Sequence, residues 1–257
     1  MIEVKNLTKS FEDKTVLFDI NAKFEDGKTN LIIGQSGSGK TVLMKAITGL
    51  LTPTKGEVLY DGRNFVEMSK SGKTAMRREM GMVFQSSALF DSLTVLENVM
   101  FPLDMFSTKT YRERVKRAQE CLDRVNLIDA QNKYPSEISG GMQKRVAIAR
   151  AIVLSPKYLF CDEPNSGLDP KTSLVIDELL SGITHENNMT TIINTHDMNS
   201  VFGIGESILF IYKGHVEWVG DKTMVMEATN ERLNDLIFAS DISRKMKENE
   251  LKAEGKL

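Results

Sequence analysis

Cysteine is scarce in this sequence. Cys121 and Cys161 are the only two among 257 residues, they lie far apart, and they belong to no CxxC pattern. A reduced compartment is the simpler reading. There is no excess of basic charge either: 33 Lys and Arg stand against 35 Asp and Glu, a formal net charge of −2. Nucleic acid is therefore excluded as a main partner. No uninterrupted apolar run approaches the roughly 20 residues that a membrane span needs, so any membrane role must come through a partner. The first residues, Met1-Ile2-Glu3-Val4-Lys5, alternate like a strand and carry no secretion signal. Repeats and low-complexity tracts are absent. What remains, 41% hydrophobic and 26% charged residues, is the composition of an ordinary globular protein. A chain of this length can bury a sizeable core without staples.

The coarse pattern is α/β. Residues 2–24 read as short alternating strands with Phe11 in the turn between them, and strands are also predicted at 57–60 and over Met82-Val83-Phe84-Gln85. Residues 69–79 are basic and read as a surface helix. The texture then changes. Thr94-Val95-Leu96-Glu97 and Thr110-Tyr111-Arg112-Glu113 are both capping boxes, so two helices begin there. In the second, Val115, Ala118, Leu122 and Val125 share one face. A third helix is expected at 140–154. Strands follow at 157–161, 190–194, 207–212 and 215–219, with a helix opened by Asp169-Pro170 and short helices over 221–239. One domain over 1–240 is expected, with a helical insert at about 86–155 and a charged tail at 241–257.

The chemistry centres on Gly34-Gln35-Ser36-Gly37-Ser38-Gly39-Lys40-Thr41, which fits G-x-x-x-x-G-K-[ST], the phosphate-binding P-loop. An apolar run, Leu31-Ile32-Ile33, precedes it, and the helix-forming Val42-Leu43-Met44-Lys45-Ala46-Ile47 follows. Glycines let backbone N–H groups curl around an anion, and the helix N-terminus adds partial positive charge. Lys40 would reach the β- and γ-phosphates of a nucleotide and Thr41 would hold Mg²⁺. A second constellation, Tyr158-Leu159-Phe160-Cys161-Asp162-Glu163, is an apolar strand that ends in two acids. Taken alone it reads better as a strand stopped at a polar turn. With a P-loop upstream, Asp162 becomes a Mg²⁺ ligand and Glu163 a general base for water.

The pieces around these two resemble a known family. Ile138-Ser139-Gly140-Gly141-Met142-Gln143-Lys144-Arg145 is similar to the signature region of ABC-transporter ATPases. Gln85 falls where that family has its Q-loop glutamine, Asn165-Ser166-Gly167-Leu168-Asp169 resembles its D-loop, and Asn194-Thr195-His196-Asp197 its switch histidine. Phe11 sits where the family stacks an aromatic on adenine. The motifs occur in the family's order over roughly residues 2–220. Two positions depart from the pattern: Met142 replaces the usual glutamine, and Phe11 replaces the commoner tyrosine. The run Phe84-Gln85-Ser86-Ser87-Ala88-Leu89-Phe90-Asp91-Ser92-Leu93-Thr94-Val95, then Glu97-Asn98-Val99 and Pro102-Leu103, with the methionine in the signature, resembles more narrowly the ATPases of Mla-type lipid transporters, which work with MCE-domain proteins.

The resemblance implies a RecA-like P-loop NTPase core with an N-terminal antiparallel β-subdomain and an inserted α-helical subdomain. It also implies a homodimer closed by ATP and Mg²⁺. In that arrangement Phe11, Gly34, Ser36, Gly37, Ser38, Gly39, Lys40 and Thr41 bind the nucleotide. Ser139, Gly140 and Gly141 complete the pocket from the opposite chain; Thr41, Gln85 and Asp162 hold the metal; Glu163, His196 and Gln85 serve hydrolysis. It further implies integral-membrane permease subunits, an MCE-type lipid-binding protein and a small regulatory subunit as partners. The expected place is the cytoplasmic face of the inner membrane, bound through the permease, and the expected cargo is phospholipid. An ABC ATPase powering another transport or a non-transport membrane process is the alternative. A P-loop kinase fits less well, because Glu163, the Ser-Gly-Gly element and His196 suit water as the nucleophile better than a bound acceptor.

Overall fold

The structure, a computed structural model, describes residues 1–239; the tail expected at 241–257 lies outside the described residues. The chain opens with a hairpin of β1 (Ile2–Phe11) and β2 (Lys14–Phe24), turned by Glu12-Asp13. Phe11 is thus the last paired residue of a strand, opposite Lys14, rather than part of the turn. The two-residue loop explains the correction: Glu12 takes the left-handed backbone (φ 49°) that so tight a hairpin demands. β4 (Lys55–Tyr60) and the short β5 (Arg63–Asn64) complete an antiparallel sheet of order β2-β1-β4-β5.

Between the strands of that first sheet the chain makes β3 (Thr29–Ile33) and α1 (Lys40–Ile47). β3 lies inside a six-stranded sheet with β6 (Met80–Val83), β7 (Tyr158–Asp162), β8 (Thr190–Thr195), β9 (Ser207–Tyr212) and β10 (His215–Gly220), in the order β10-β9-β3-β8-β7-β6. All neighbours are parallel except β9 and β10. Its central strands are buried on both faces, which is why they read as continuous apolar runs rather than alternating ones. Leu31 and Ile33 face one core with Leu159, Cys161 and Ile193; Ile32 faces the other with Phe160 and Ile192. The first core is closed by helices. The second is closed by α1 and the antiparallel sheet.

The strand expected to end at Gln85 ends earlier, at Val83, where its pairing with Cys161 of β7 stops. Phe84 is already exposed, and its carbonyl accepts from Ser87 N at 2.9 Å as the chain turns. Between β6 and β7 the chain contributes only α3 (Val95–Phe106), α4 (Tyr111–Arg124), two short 3₁₀ turns at Ile128–Ala130 and Pro135–Glu137, and α5 (Gly140–Ile152). Both expected capping boxes form: Thr94 with Glu97, and Thr110 with Glu113. Val115, Ala118, Leu122 and Val125 all meet the core, joined by Cys121. Both cysteines are free and buried, and burial pushes their thiols up, that of Cys121 to about 11. The remaining helices are α2 (Lys70–Arg78), α6 (Pro170–Glu186), α7 (Met198–Ile204), α8 (Lys222–Glu227) and α9 (Glu231–Ile237). Among the described residues no helix is long and apolar enough to cross a membrane.

Candidate functional site

The parallel register sets the site. Ile33 pairs with Thr195, and Asp162 with Asn194, so β3, β7 and β8 end at one carboxyl edge. The P-loop leaves β3 there, Glu163 follows β7, and His196 follows β8. An open parallel sheet places its ligands beyond this edge. A cleft of about 690 Å³ lies there, lined by Val16, Ser36, Gly37, Gly39, Lys40, Thr41, Val42, Gln85, Glu163 and His196.

The P-loop glycines meet two demands. Gly34 and Gly39 have φ of 153° and 114°, and a Cβ on either would collide, with the Ile211 carbonyl at 2.4 Å and with Leu17 at 2.7 Å respectively. A Cβ on Gly37 would meet nothing within 4 Å, so that backbone faces open space. α1 begins at Gly39 without a side-chain cap and without an acid in its first turn, leaving its N–H groups and positive end available to an anion. The buried Ser38 hydroxyl has no partner, as a group would that waits for one supplied by a ligand.

Lys40 is 6% exposed, and its ammonium donates to the carbonyls of Gly34 at 2.8 Å and Gln35 at 3.3 Å. Burial lowers its pKa, while the charges of Glu163, 3.9 Å away, and Asp162 oppose that shift. The Thr41 hydroxyl donates to Asp162 Oδ1 at 3.3 Å. These two oxygens, with the Gln85 side chain on the same cleft, form a carboxylate-poor oxygen set. Among the described residues no group of three His, Cys, Asp or Glu side chains could cage a metal on its own. The set suits Mg²⁺, which draws the rest of its shell from phosphates and water. Glu163 pairs with His196 Nδ1. Glu163 has φ 51°, a left-handed backbone that a non-glycine residue adopts only when its surroundings impose it. Its N–H donates to the Asn194 carbonyl at 3.0 Å.

Not every expected residue comes here. Phe11 is 41% exposed with the Lys9 ammonium 4.8 Å from its ring centre, and it does not line the cleft, whereas Val16 does. Ser139, Gly140 and Gly141 open α5 at an exposed edge and do not line it either. Ser139 caps that helix, accepting from Met142 N at 3.3 Å, and the first turn carries no acid. Gln85 sits in the loop after β6, where its amide donates to Ser166 Oγ at 3.1 Å.

Three contributors were missed from sequence. Asn194 Nδ2 donates to Asp162 Oδ1 at 2.9 Å and so fixes the proposed metal carboxylate. The signal was an amide residue directly after the apolar pair Ile192-Ile193. Lys144, 5% exposed on α5, donates to the Gln85 carbonyl, and Arg150 donates to those of Ser87 at 2.7 Å and Ala88 at 2.8 Å. These cations hold a loop in which Ser87 and Ala88 both have positive φ. Only the tertiary fold brings them together.

Comparison with known proteins agrees with this geometry. The family model described as ABC transporter matches residues 17–166. The chain is 36% identical over 225 residues to the "Probable ribonucleotide transport ATP-binding protein mkl" of Mycobacterium leprae, covering 88% of this chain and 65% of that protein. It is 39% identical over 231 residues to the "Methionine import ATP-binding protein MetN" of Latilactobacillus sakei, covering 88% of this chain and 67% of that one. The chain thus spans about two thirds of the length of these relatives. Among solved structures, the dimeric bacterial ABC transporter cassette MJ0796 superposes with a TM-score of 0.79 at 36% identity, over 86% of this chain and 99% of that one. The same cassette in a post-hydrolysis state bound to ADP and Pi gives 0.78. The family match, the relatives and the shared architecture together place this chain in the ABC transporter family, as one of its ATP-hydrolysing cassettes.

Proposed function

We propose that two copies of this chain bind two Mg-ATP at a shared face and hydrolyse them to drive transport through separate membrane subunits. One observation carries the reading: Lys40, Thr41, Glu163 and His196 line one cleft, with Asp162 hydrogen-bonded to Thr41 beside them, while the Ser139-Gly140-Gly141 edge lies outside its lining. One chain then has a single metal-and-lysine cradle and a second anion-binding helix end with nothing of its own to bind. A twofold axis resolves the mismatch, because each chain can offer its spare edge to the other's nucleotide.

In this reading Lys40 and the P-loop amides hold the phosphates, and Thr41, Asp162 and Gln85 hold Mg²⁺. The metal, when bound, neutralises charge on the transferred phosphoryl group. Glu163 accepts the proton of the attacking water, and His196, paired with it, keeps the carboxylate aimed. Adenine stacking on Phe11 requires a shift of that exposed ring or a contact at the rim of the cleft. Ser139 and Gly141 of the opposite chain complete the pocket around the γ-phosphate. Loss of that phosphate removes the charge joining the halves, and they open.

In this reading the membrane subunits are separate partners; among the described residues no helix is long and apolar enough to cross a membrane. Their dock is the apolar outer face beside Gln85, where Phe84, Phe90, Phe101 and Met105 are exposed and the Phe90 and Phe101 rings meet tilted, with centroids 4.7 Å apart. We infer phospholipid as cargo and the cytoplasmic face of the inner membrane as the place, with an MCE-type protein and a small regulatory subunit in the assembly. Support comes from the run within residues 84–103 and from Met142. The relatives are named for ribonucleotide and methionine, so the cargo rests on that run and that methionine.

The test is Glu163→Gln with Mg-ATP, in solution scattering and with the membrane subunits present. An ATP-dependent dimer is expected, and solitary molecules under both conditions would end the proposal. For cargo, the purified assembly should move phospholipid between vesicles in an ATP-dependent way. Methionine or ribonucleotide uptake instead would redirect it.

A further inference from the structure

Behind the cleft lies a buried polar cluster that the mechanism above does not use. Asp177, in the middle of α6, is 3% exposed. Its Oδ1 accepts from Asn165 Nδ2 at 2.8 Å and its Oδ2 from Ser200 Oγ at 2.8 Å. Asn165 and Ser200 are 8% and 1% exposed, and the Asn165 amide also reaches Ser200 Oγ at 3.2 Å. Among the described residues no cation pairs with this carboxylate. A buried acid without a countercharge is costly, and an apolar side chain or an asparagine would avoid the cost.

The cluster's position explains what the cost maintains. Asn165 lies two residues beyond Glu163, and Ser200 lies four beyond His196, on α7. Glu163 and His196 already pair in front. The chain therefore closes a ring: from Glu163 to Asn165, across Asp177 to Ser200, back along α7 to His196, and across to Glu163. The ring contains the left-handed Glu163, a conformation that needs outside support, the more so because Pro164 follows it. Ser166, next to Asn165, receives the Gln85 amide, so the ring also touches the loop after β6.

We propose that Asp177 is a positioning residue for hydrolysis, tying the loop after Glu163 to the helix after His196 so that the two side chains stay aligned. This rests on the reading of Glu163 and His196 given above. Its charge is the working feature, since hydrogen bonds to an ionised acceptor are the stronger ones. Burial pushes the carboxyl up to about 6, and the charge of Asp197 at the start of α7 pushes the same way. On the β7 side the neighbour is the Cys161 thiol, which burial keeps protonated in this range. A proton on Asp177 therefore weakens the ring as pH falls through 6.

The test uses the full-length protein with its membrane subunits and measures kcat, KM for ATP and melting temperature for wild type, Asp177→Asn, Asp177→Leu, Ser200→Ala and Ser200→Thr. Wild type must first hydrolyse ATP, and Glu163→Gln must abolish it; failure there refutes the underlying reading and not the ring. Given that activity, Asp177→Asn is expected to melt no lower than wild type at pH 8, to lose about tenfold in kcat, and to leave KM within about twofold. Its rate relative to wild type should rise towards pH 5.5. Ser200→Ala should lose roughly threefold to tenfold in kcat, and Ser200→Thr, which keeps the hydroxyl, should restore most of it. Should both Asp177 variants fail to fold, the Ser200 pair decides alone. A Ser200→Ala variant turning over at the wild-type rate overturns the proposal, as does an Asp177→Asn variant whose lower kcat follows the wild-type pH profile unchanged.

Discussion

Helices α1 and α5 both open at a glycine with no acid in the first turn, and their surroundings differ. α1 opens into a cleft furnished by its own chain: a buried lysine, a threonine, a glutamate and a histidine. α5 opens at an exposed edge with only Ser139 over it. The same backbone device is thus complete in one place and half-built in the other. The lesson is that the second edge is to be judged against a partner chain. Substitutions at the first edge should act on a solitary molecule, and those at the second only on a pair.

The largest expected effect is at Glu163. Glu163→Gln should lower turnover by about 10²–10⁴-fold while ATP binding persists, measured as phosphate release and nucleotide affinity on the same sample. Lys40→Ala comes next. It removes charge-assisted bonds of about 1.5–3 kcal/mol each, so ATP affinity of the single chain should fall roughly tenfold to a hundredfold, read by calorimetry under conditions that prevent pairing. Gly140→Ala separates the two edges most directly. The nearest atom to an added Cβ there, on Leu168, is 4.0 Å away, so the fold has room, and a partner's phosphate would not. ATP affinity of the single chain should stay unchanged while ATP-driven pairing weakens by at least about tenfold. Equal loss in both measurements would erase the distinction between the edges.

Stability offers two smaller effects. The Asp177 carboxyl is raised in the fold, so its contribution is fully present below its unfolded value of 3.8 and is lost as pH rises through about 6. Asp177→Asn should therefore match wild type near pH 4 and exceed it by about 1–3 kcal/mol at pH 8, measured by urea unfolding. Thr94→Ala touches neither edge. It breaks one capping box and should cost about 1 kcal/mol, or some 2–4 °C in melting temperature, with activity intact.

The P-loop, the Asp162-Glu163 strand end and both capping boxes were legible because each is a contiguous run whose physics is local. The sheet order was harder to read, although the positions of the strands already implied a parallel frame with helices between. Phe11 and Gln85 were placed one element boundary off, at a hairpin tip and a strand end, where pairing with a distant strand decides the boundary. Asn98 was not singled out. Buried under the 90–94 loop, it accepts from Phe90 N at 2.8 Å and donates to the carbonyls of Phe90, Leu93 and Thr94. Asn194, Lys144 and Asp177 share its character. Each is a polar residue inside an element that periodicity alone assigns to a core, and the nitrogen and oxygen partners of its side chain lie 4 to 59 residues away in the chain.

The two native thiols lie under the surface, shut away from solvent and held in their protonated, unreactive form. A cysteine introduced at Lys45 on α1 or at Ser136 just before α5, both at the surface and neither assigned to the nucleotide, would be the fast-reacting one without any need to delete the originals. Spin labels attached there would act as a ruler laid from the cradle of one molecule to the spare edge of its twin, and the separation could be followed as nucleotide comes and goes.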